Sequence, residues 1–88
     1  MLRRSTIRQA RNESVRLEYS PHARRQMQKR AISEADVERA LRQRIGHPGP
    51  GEPGTIWVRG FAIGGRILKV CVRTADQRYV VTAAWPDA

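Results

Sequence analysis

The stretch Ser20-Pro21-His22-Ala23-Arg24-Arg25-Gln26-Met27-Gln28-Lys29-Arg30-Ala31-Ile32-Ser33-Glu34-Ala35-Asp36-Val37 holds two helix starts in quick succession. Ser20 offers a side-chain oxygen to a free first-turn amide, and Pro21 stands where the missing N–H costs no hydrogen bond. The spacing predicts a helix from Pro21 to about Arg30. Ala23, Met27 and Ala31 form its buried stripe, leaving His22, Arg25, Gln26 and Lys29 together on another face. The second start is sharper, because Ser33 can cap, Asp36 follows three residues on, and Ile32 can staple to Val37. It predicts a helix over Glu34 to Arg44, with Val37, Ala40, Leu41 and Ile45 as core stripe and Glu38 and Arg42 as an exposed ion pair.

Working outward, Val15, Leu17 and Tyr19 alternate with polar residues, which suggests a short strand lying beside a later sheet. Downstream, Gly46 to Gly54 reads GHPGPGEPG. So much Gly and Pro predicts a mobile connector that neither helix nor strand crosses. Beyond it, Thr55 to Ile63, Arg66 to Thr74 and Arg78 to Trp85 are rich in Val, Ile and aromatics and read as strands. Gly64-Gly65 is a hairpin signal and Ala75-Asp76-Gln77 a second tight turn. The expected fold class is α+β, with two N-terminal helices packed on one face of an antiparallel sheet of three to four strands. Trp57, Phe61, Tyr79 and Trp85 are all odd-numbered, so each strand's pair of aromatics should project to one face; one sequence does not decide between core and a base-stacking surface, and core is the default.

The chain has 88 residues, enough for one domain over 15–88 preceded by a basic arm over 1–14. A core this small is only marginally stable. Cys71 is the only cysteine, so no intrachain disulfide is available and a reducing, cytoplasmic setting is expected. No apolar run is long enough for a membrane span, and the Arg-rich start lacks a signal peptide's apolar core. There are 17 Lys and Arg against 8 Asp and Glu, a net charge of +9. All but Lys29 and Lys69 of those cations are Arg, whose planar fork matches phosphate and stacks on bases. A high-GC gene can favour Arg over Lys, but it does not account for the scarcity of acids, and the imbalance points to a polyanion, with RNA favoured. Arg3, Arg4, Arg8 and Arg11 on the arm, Lys29 on the first helix and Trp85 near the end are the expected nucleic-acid contacts.

Catalytic vocabulary is sparse. Neither a zinc-ligand spacing, nor a phosphate-cradling Gly loop, nor a Ser-His-Asp set is present, so no metal and no cofactor is expected. The enzymatic reading left is RNA cleavage through the neighbouring 2′-hydroxyl, which needs a proton acceptor, a proton donor and cations about the phosphate. His22 carries an imidazole, a side chain suited to serve as acid or base, and stands at the positive end of a helix. An equally good account has it simply packing or hydrogen-bonding there. Arg25 shares its face, Arg30 ends the helix, and Thr82 is a polar residue within an apolar strand. His47 lies in a Gly/Pro-rich loop that cannot hold a general base in place.

The segment from His22 to Val37 closely resembles the signature of a widespread bacterial family of small proteins of unassigned function. That signature runs H-A-x-x-R-M-x-x-R-x-I-S-x-x-x-V and is followed by a sheet whose last strand carries Val-Thr and then an aromatic. The likeness covers about Tyr19 to Trp85. It departs at Gln26-Met27, where Arg-Met is the pattern, and at Trp85, where Tyr is. The resemblance further implies a relationship to the metal-independent ribonuclease toxins of the RelE, barnase and EndoU-like group. It implies His22 as general acid or base, Arg30 and Arg25 as phosphate stabilisers, Thr82 as a hydrogen-bond donor, and an acidic antitoxin or inhibitor protein as a second partner. Fold analogy does not fix function. A toxin-like endoribonuclease is therefore the first reading, a non-catalytic RNA- or DNA-binding accessory protein the second, and a protein-interaction module the third.

Overall fold

The computed structural model describes residues 16–86 of the chain. Strand β1 (Glu18–Tyr19) leads into helix α1 (Pro21–Lys29), helix α2 (Glu34–Arg42) follows, and then come β2 (Arg44–Pro50), β3 (Thr55–Phe61), β4 (Ile67–Arg73) and β5 (Tyr79–Ala84). The strands form one sheet in the order β1-β5-β4-β3-β2. Pairing is antiparallel from β2 to β5, whereas β1 runs parallel to β5 with Tyr19 opposite Val80. No helix of the described residues is long and apolar enough to cross a membrane.

Both predicted caps form. The Ser20 hydroxyl accepts from the Ala23 amide at 2.9 Å and donates to the Val81 carbonyl at 2.9 Å, so one side chain starts α1 and ties it to β5. Ser33 and Asp36 make a reciprocal capping box at the start of α2. Helix α1 ends at Lys29 with Arg30 as its cap, close to the predicted end, but Ala31 of the predicted stripe falls beyond it. Ala31 takes a left-handed φ of 56°, and the Ile32 amide donates back to the Met27 carbonyl at 2.9 Å, closing the helix in a Schellman turn. Ala31 is consequently exposed, and Ile32 enters the core in its place.

Helix α1 lies over β5, and α2 over β3 and β4. Ala23, Met27, Val37 and Ala40 meet Val58, Leu68, Val70, Val72, Val80 and Ala83 in one buried cluster. Gly60 lets the layers close: a methyl group there would overlap the Ala40 carbonyl, so only a residue without Cβ allows α2 this near the sheet.

Several expectations are corrected. The sheet has five strands rather than three to four, and the helical turns are not all N-terminal, since a 3₁₀ turn over Ile63–Gly65 joins β3 to β4. The Gly/Pro stretch is no connector, because Gly46 to Pro50 belong to edge strand β2, paired with β3 through Gly49 opposite Trp57 and Pro50 opposite Ile56. Proline is tolerated on an edge, where half of the backbone groups need no sheet partner, and the positive φ of Gly46 accommodates the irregular register after Ile45. Accordingly α2 ends at Arg42, and Ile45, expected in the core stripe, lies on β2 opposite Arg59, on the face away from the helices. Among the described residues the ion pairs are Arg24–Glu34 and Arg78–Asp76, so Glu38 and Arg42 do not pair.

Candidate nucleic-acid interface

The four residues proposed from sequence for catalysis lie in different places. His22 is exposed in the first turn of α1, with Arg25 exposed one turn on. Arg30 caps the opposite end, about 12 Å further along the helix axis. Its Nη1 donates to the Ala83 carbonyl at 2.8 Å, and the Trp85 Nε1 donates to the Arg30 carbonyl at 2.8 Å. Thr82 is on the other side of the sheet, opposite Cys71 in a register where the neighbouring pair, Val70 and Ala83, faces the helices. Helix and sheet thus do not bring His22, Arg30 and Thr82 to one point.

The contacts proposed for nucleic acid divide similarly. Arg3, Arg4, Arg8 and Arg11 lie outside the described residues. Lys29 is exposed on α1. Trp85 packs against the core on the helix side, its N–H satisfied by Arg30 and its ring covered by the Arg66 guanidinium at 3.8 Å. Strand parity therefore fails on β5, where Tyr79 and Trp85 point to opposite faces. The cause is a bulge: Cys71 pairs with Thr82 but the next residue, Val72, pairs with Val80, leaving Val81 as an extra residue. Both Val80 and Ala83 can then face the helices.

The helix-free face of the sheet carries Trp57, Phe61 and Tyr79, for which core was only the default expectation beside a base-stacking surface. Its side chains fall into rows across β3, β4 and β5. One row holds Thr55, Arg73 and Tyr79, the next Trp57, Cys71 and Thr82, then Arg59, Lys69 and Ala84, and last Phe61 beside Ile67. The Lys69 ammonium lies 4.8 Å from the Trp57 ring centre, and the Arg73 guanidinium 3.8 Å from that of Tyr79. At partly exposed sites such cation–π pairs contribute roughly 0.5–1 kcal/mol each, less than the roughly 1–3 kcal/mol of a base stacked on an aromatic ring. Phe61 and Ile67 are 37% and 40% exposed. Past them the face ends in a hollow lined by Arg59, Arg66, Ile67 and Pro86.

Arg59, Lys69 and Arg73 lie on this face, with Glu18 of β1 beside Tyr79 at its border, while Arg44, opposite Gly60, lies on the helix side and donates its Nε to the Leu41 carbonyl. Strands β2 to β5 contain Arg44, Arg59, Lys69 and Arg73 and not one Asp or Glu. The described carboxylates sit on β1, on α2 and in the turns at Glu52 and Asp76. Neither ion pair of the described residues involves a residue of β2 to β5. The signal was present in the sequence as an acid-free run from Pro53 to Ala75, in which Trp57, Arg59 and Phe61, and then Lys69, Cys71 and Arg73, recur at every second position. No three His, Cys, Asp or Glu side chains of the described residues group so as to hold a metal ion.

No curated protein matches the chain, and neither does any solved structure. Residues 19–85, from the strand before α1 to the tryptophan clamped by Arg30, match DUF4258, a domain of unknown function, and the chain belongs to that family.

Proposed function

We propose that this protein binds nucleic acid, with RNA the favoured polyanion, through the helix-free face of its sheet. The observation that carries the reading is the segregation of charge. Arg59, Lys69 and Arg73 lie on this face while β2 to β5 carry no carboxylate, and two of these cations lie on aromatic rings. Phosphates neutralised by such cations release counterions, and the association is then steeply salt-dependent. The basic arm with Arg3, Arg4, Arg8 and Arg11, and Lys29 on α1, would add phosphate contacts outside this face.

Cleavage is the second reading, favoured by the exposed imidazole of His22 at the positive end of α1 with Arg25 one turn away. The likeness to RelE, barnase and EndoU-like ribonucleases belongs to this reading, as does an acidic antitoxin partner. The placement of Thr82 across the sheet and the engagement of Arg30 with Ala83 weigh against a single site made of these residues.

One experiment addresses both. Labelled RNA is titrated with protein at several salt concentrations, and the same mixtures are run on a denaturing gel. Binding should weaken as salt rises, and Lys69→Gln and Arg73→Gln should each lower the slope of log K against log salt by about 0.7. Salt-independent binding, or variants with the wild-type slope, would refute the sheet-face reading. Metal-independent RNA shortening that is lost in folded His22→Ala would establish the cleavage reading.

A further inference from the structure

We infer that the nucleic acid taken by this face is single-stranded and lies on it unstacked, its bases seated in turn at Tyr79, Trp57 and the Phe61–Ile67 end. This rests on the nucleic-acid reading above and adds the form of the ligand, which charge alone does not choose.

The register sets the distances. Trp57 and Phe61 are four residues apart on β3, about 13 Å at strand rise. Trp57 and Tyr79 are separated by β4 and by one row, since Tyr79 lies beside Arg73 and Trp57 beside Cys71. Two strand spacings and a two-residue step put them about 12 Å apart. Bases in a duplex strand rise about 3.4 Å per nucleotide and show only their edges to a protein. A duplex cannot present ring faces at intervals of 12 to 13 Å. An extended single strand can, with intervening nucleotides left free, and the cations stand where its phosphates would pass.

Arg59 and Lys69 occupy the row between Trp57 and Phe61, and Arg73 adjoins Tyr79. Arg73 also offers a planar group of its own, its guanidinium lying over the Tyr79 ring at 3.8 Å from the ring centre. At the far end the hollow between Arg59, Arg66, Ile67 and Pro86 joins an apolar floor to two guanidinium groups, which suits one more nucleotide. Thr82 shares the row of Trp57 and is the hydroxyl nearest the middle of the track. This route gives Thr82 a ligand contact without requiring it to meet His22.

The test is fluorescence anisotropy with a labelled oligouridylate of about eight nucleotides and a blunt RNA duplex of the same length, both at low salt. Trp57→Leu and Tyr79→Leu remove the rings and no charge, and both sites are partly exposed, so the fold is expected to survive and is checked by amide spectra. The expected result is preference for the oligouridylate over the duplex, with each variant losing about tenfold in affinity at an unchanged salt slope. Duplex bound as tightly as single strand overturns the inference. So does unchanged oligouridylate affinity in both folded variants, even where Lys69→Gln and Arg73→Gln weaken it; in that case the sheet binds phosphate and the nucleic-acid reading stands without the track. Binding of neither RNA would instead remove the nucleic-acid reading.

Discussion

The Trp85 indole N–H donates to the Arg30 carbonyl at 2.8 Å while the Arg30 guanidinium donates to Ala83 at 2.8 Å, so the end of α1 and the end of β5 hold each other in both directions. Arg30 also carries the helix cap. Arg30→Ala should therefore lower unfolding free energy in urea by about 1–2 kcal/mol, and Trp85→Phe, which keeps an aromatic ring and loses the donor, by about 1 kcal/mol. If Arg30 served RNA chemistry alone, stability would not change and only RNA turnover would fall.

Ala31 follows that cap with a φ of 56°, a conformation that costs a residue with a Cβ about 1–2 kcal/mol and glycine almost nothing. Ala31→Gly should raise the urea midpoint, by about 1 kcal/mol of stability. The unfolded chain also gains freedom from glycine, so the benefit is less than the whole strain. An unchanged or lowered midpoint would contradict the left-handed geometry.

Gly60 tests the contact between layers. Because a methyl group there would run into the backbone of Ala40, Gly60→Ala has no rotamer with which to evade the clash and must push α2 away from β3. The expected loss is about 3 kcal/mol, at the upper end for overpacked cores, and the thermal midpoint reads it directly. A variant as stable as wild type would mean that α2 does not approach the sheet this closely.

Tyr19 makes stability depend on alkaline pH. Burial lifts its phenol above the ordinary tyrosine value, Glu34 and Glu38 push the same way, and Arg24 opposes them. The folded chain therefore holds this proton more tightly than the unfolded chain does, so the contribution is complete below the unfolded value near about 10 and declines as pH rises beyond it. Its hydroxyl oxygen is buried and has no hydrogen-bond partner among the described residues. Tyr19→Phe should accordingly stabilise by about 1 kcal/mol at neutral pH and flatten the fall above pH about 10. Denaturation curves for both proteins across that range would show whether the slopes differ.

Local signals were legible and nonlocal ones were not. Ser20-Pro21 and the Ser33 to Asp36 box mark their helices because a cap acts over three residues, a range that sequence spacing describes fully. Strand β2 was not legible: nothing local makes Gly46 to Pro50 extended, and its strand character comes from pairing with β3. Parity on β3 correctly grouped Trp57 with Phe61, yet which face they occupy depended on where the helices pack, and Met27, Val37 and Ala40 met the opposite one. On β5 a single extra residue at Val81 separated Tyr79 from Trp85, and nothing in Val80-Val81-Thr82 announces it. The candidate site divided along the same line. His22 and Arg25 were found by position on a helix, whereas the surface of Trp57, Lys69, Arg73 and Tyr79 needed the order of three strands.

The rim of the sheet has a consequence for how these molecules behave at high concentration. Among the described residues one border is β1, only Glu18–Tyr19 long, and the other is β2, where Pro48 and Pro50 have no N–H to offer an incoming strand. Edge-on growth into ribbons or fibrils requires a continuous ladder of donors and acceptors, and both borders interrupt it. A sheet with one face free of helices among the described residues is thereby kept from templating its neighbours by the same Gly/Pro stretch that by composition was not expected to enter a sheet.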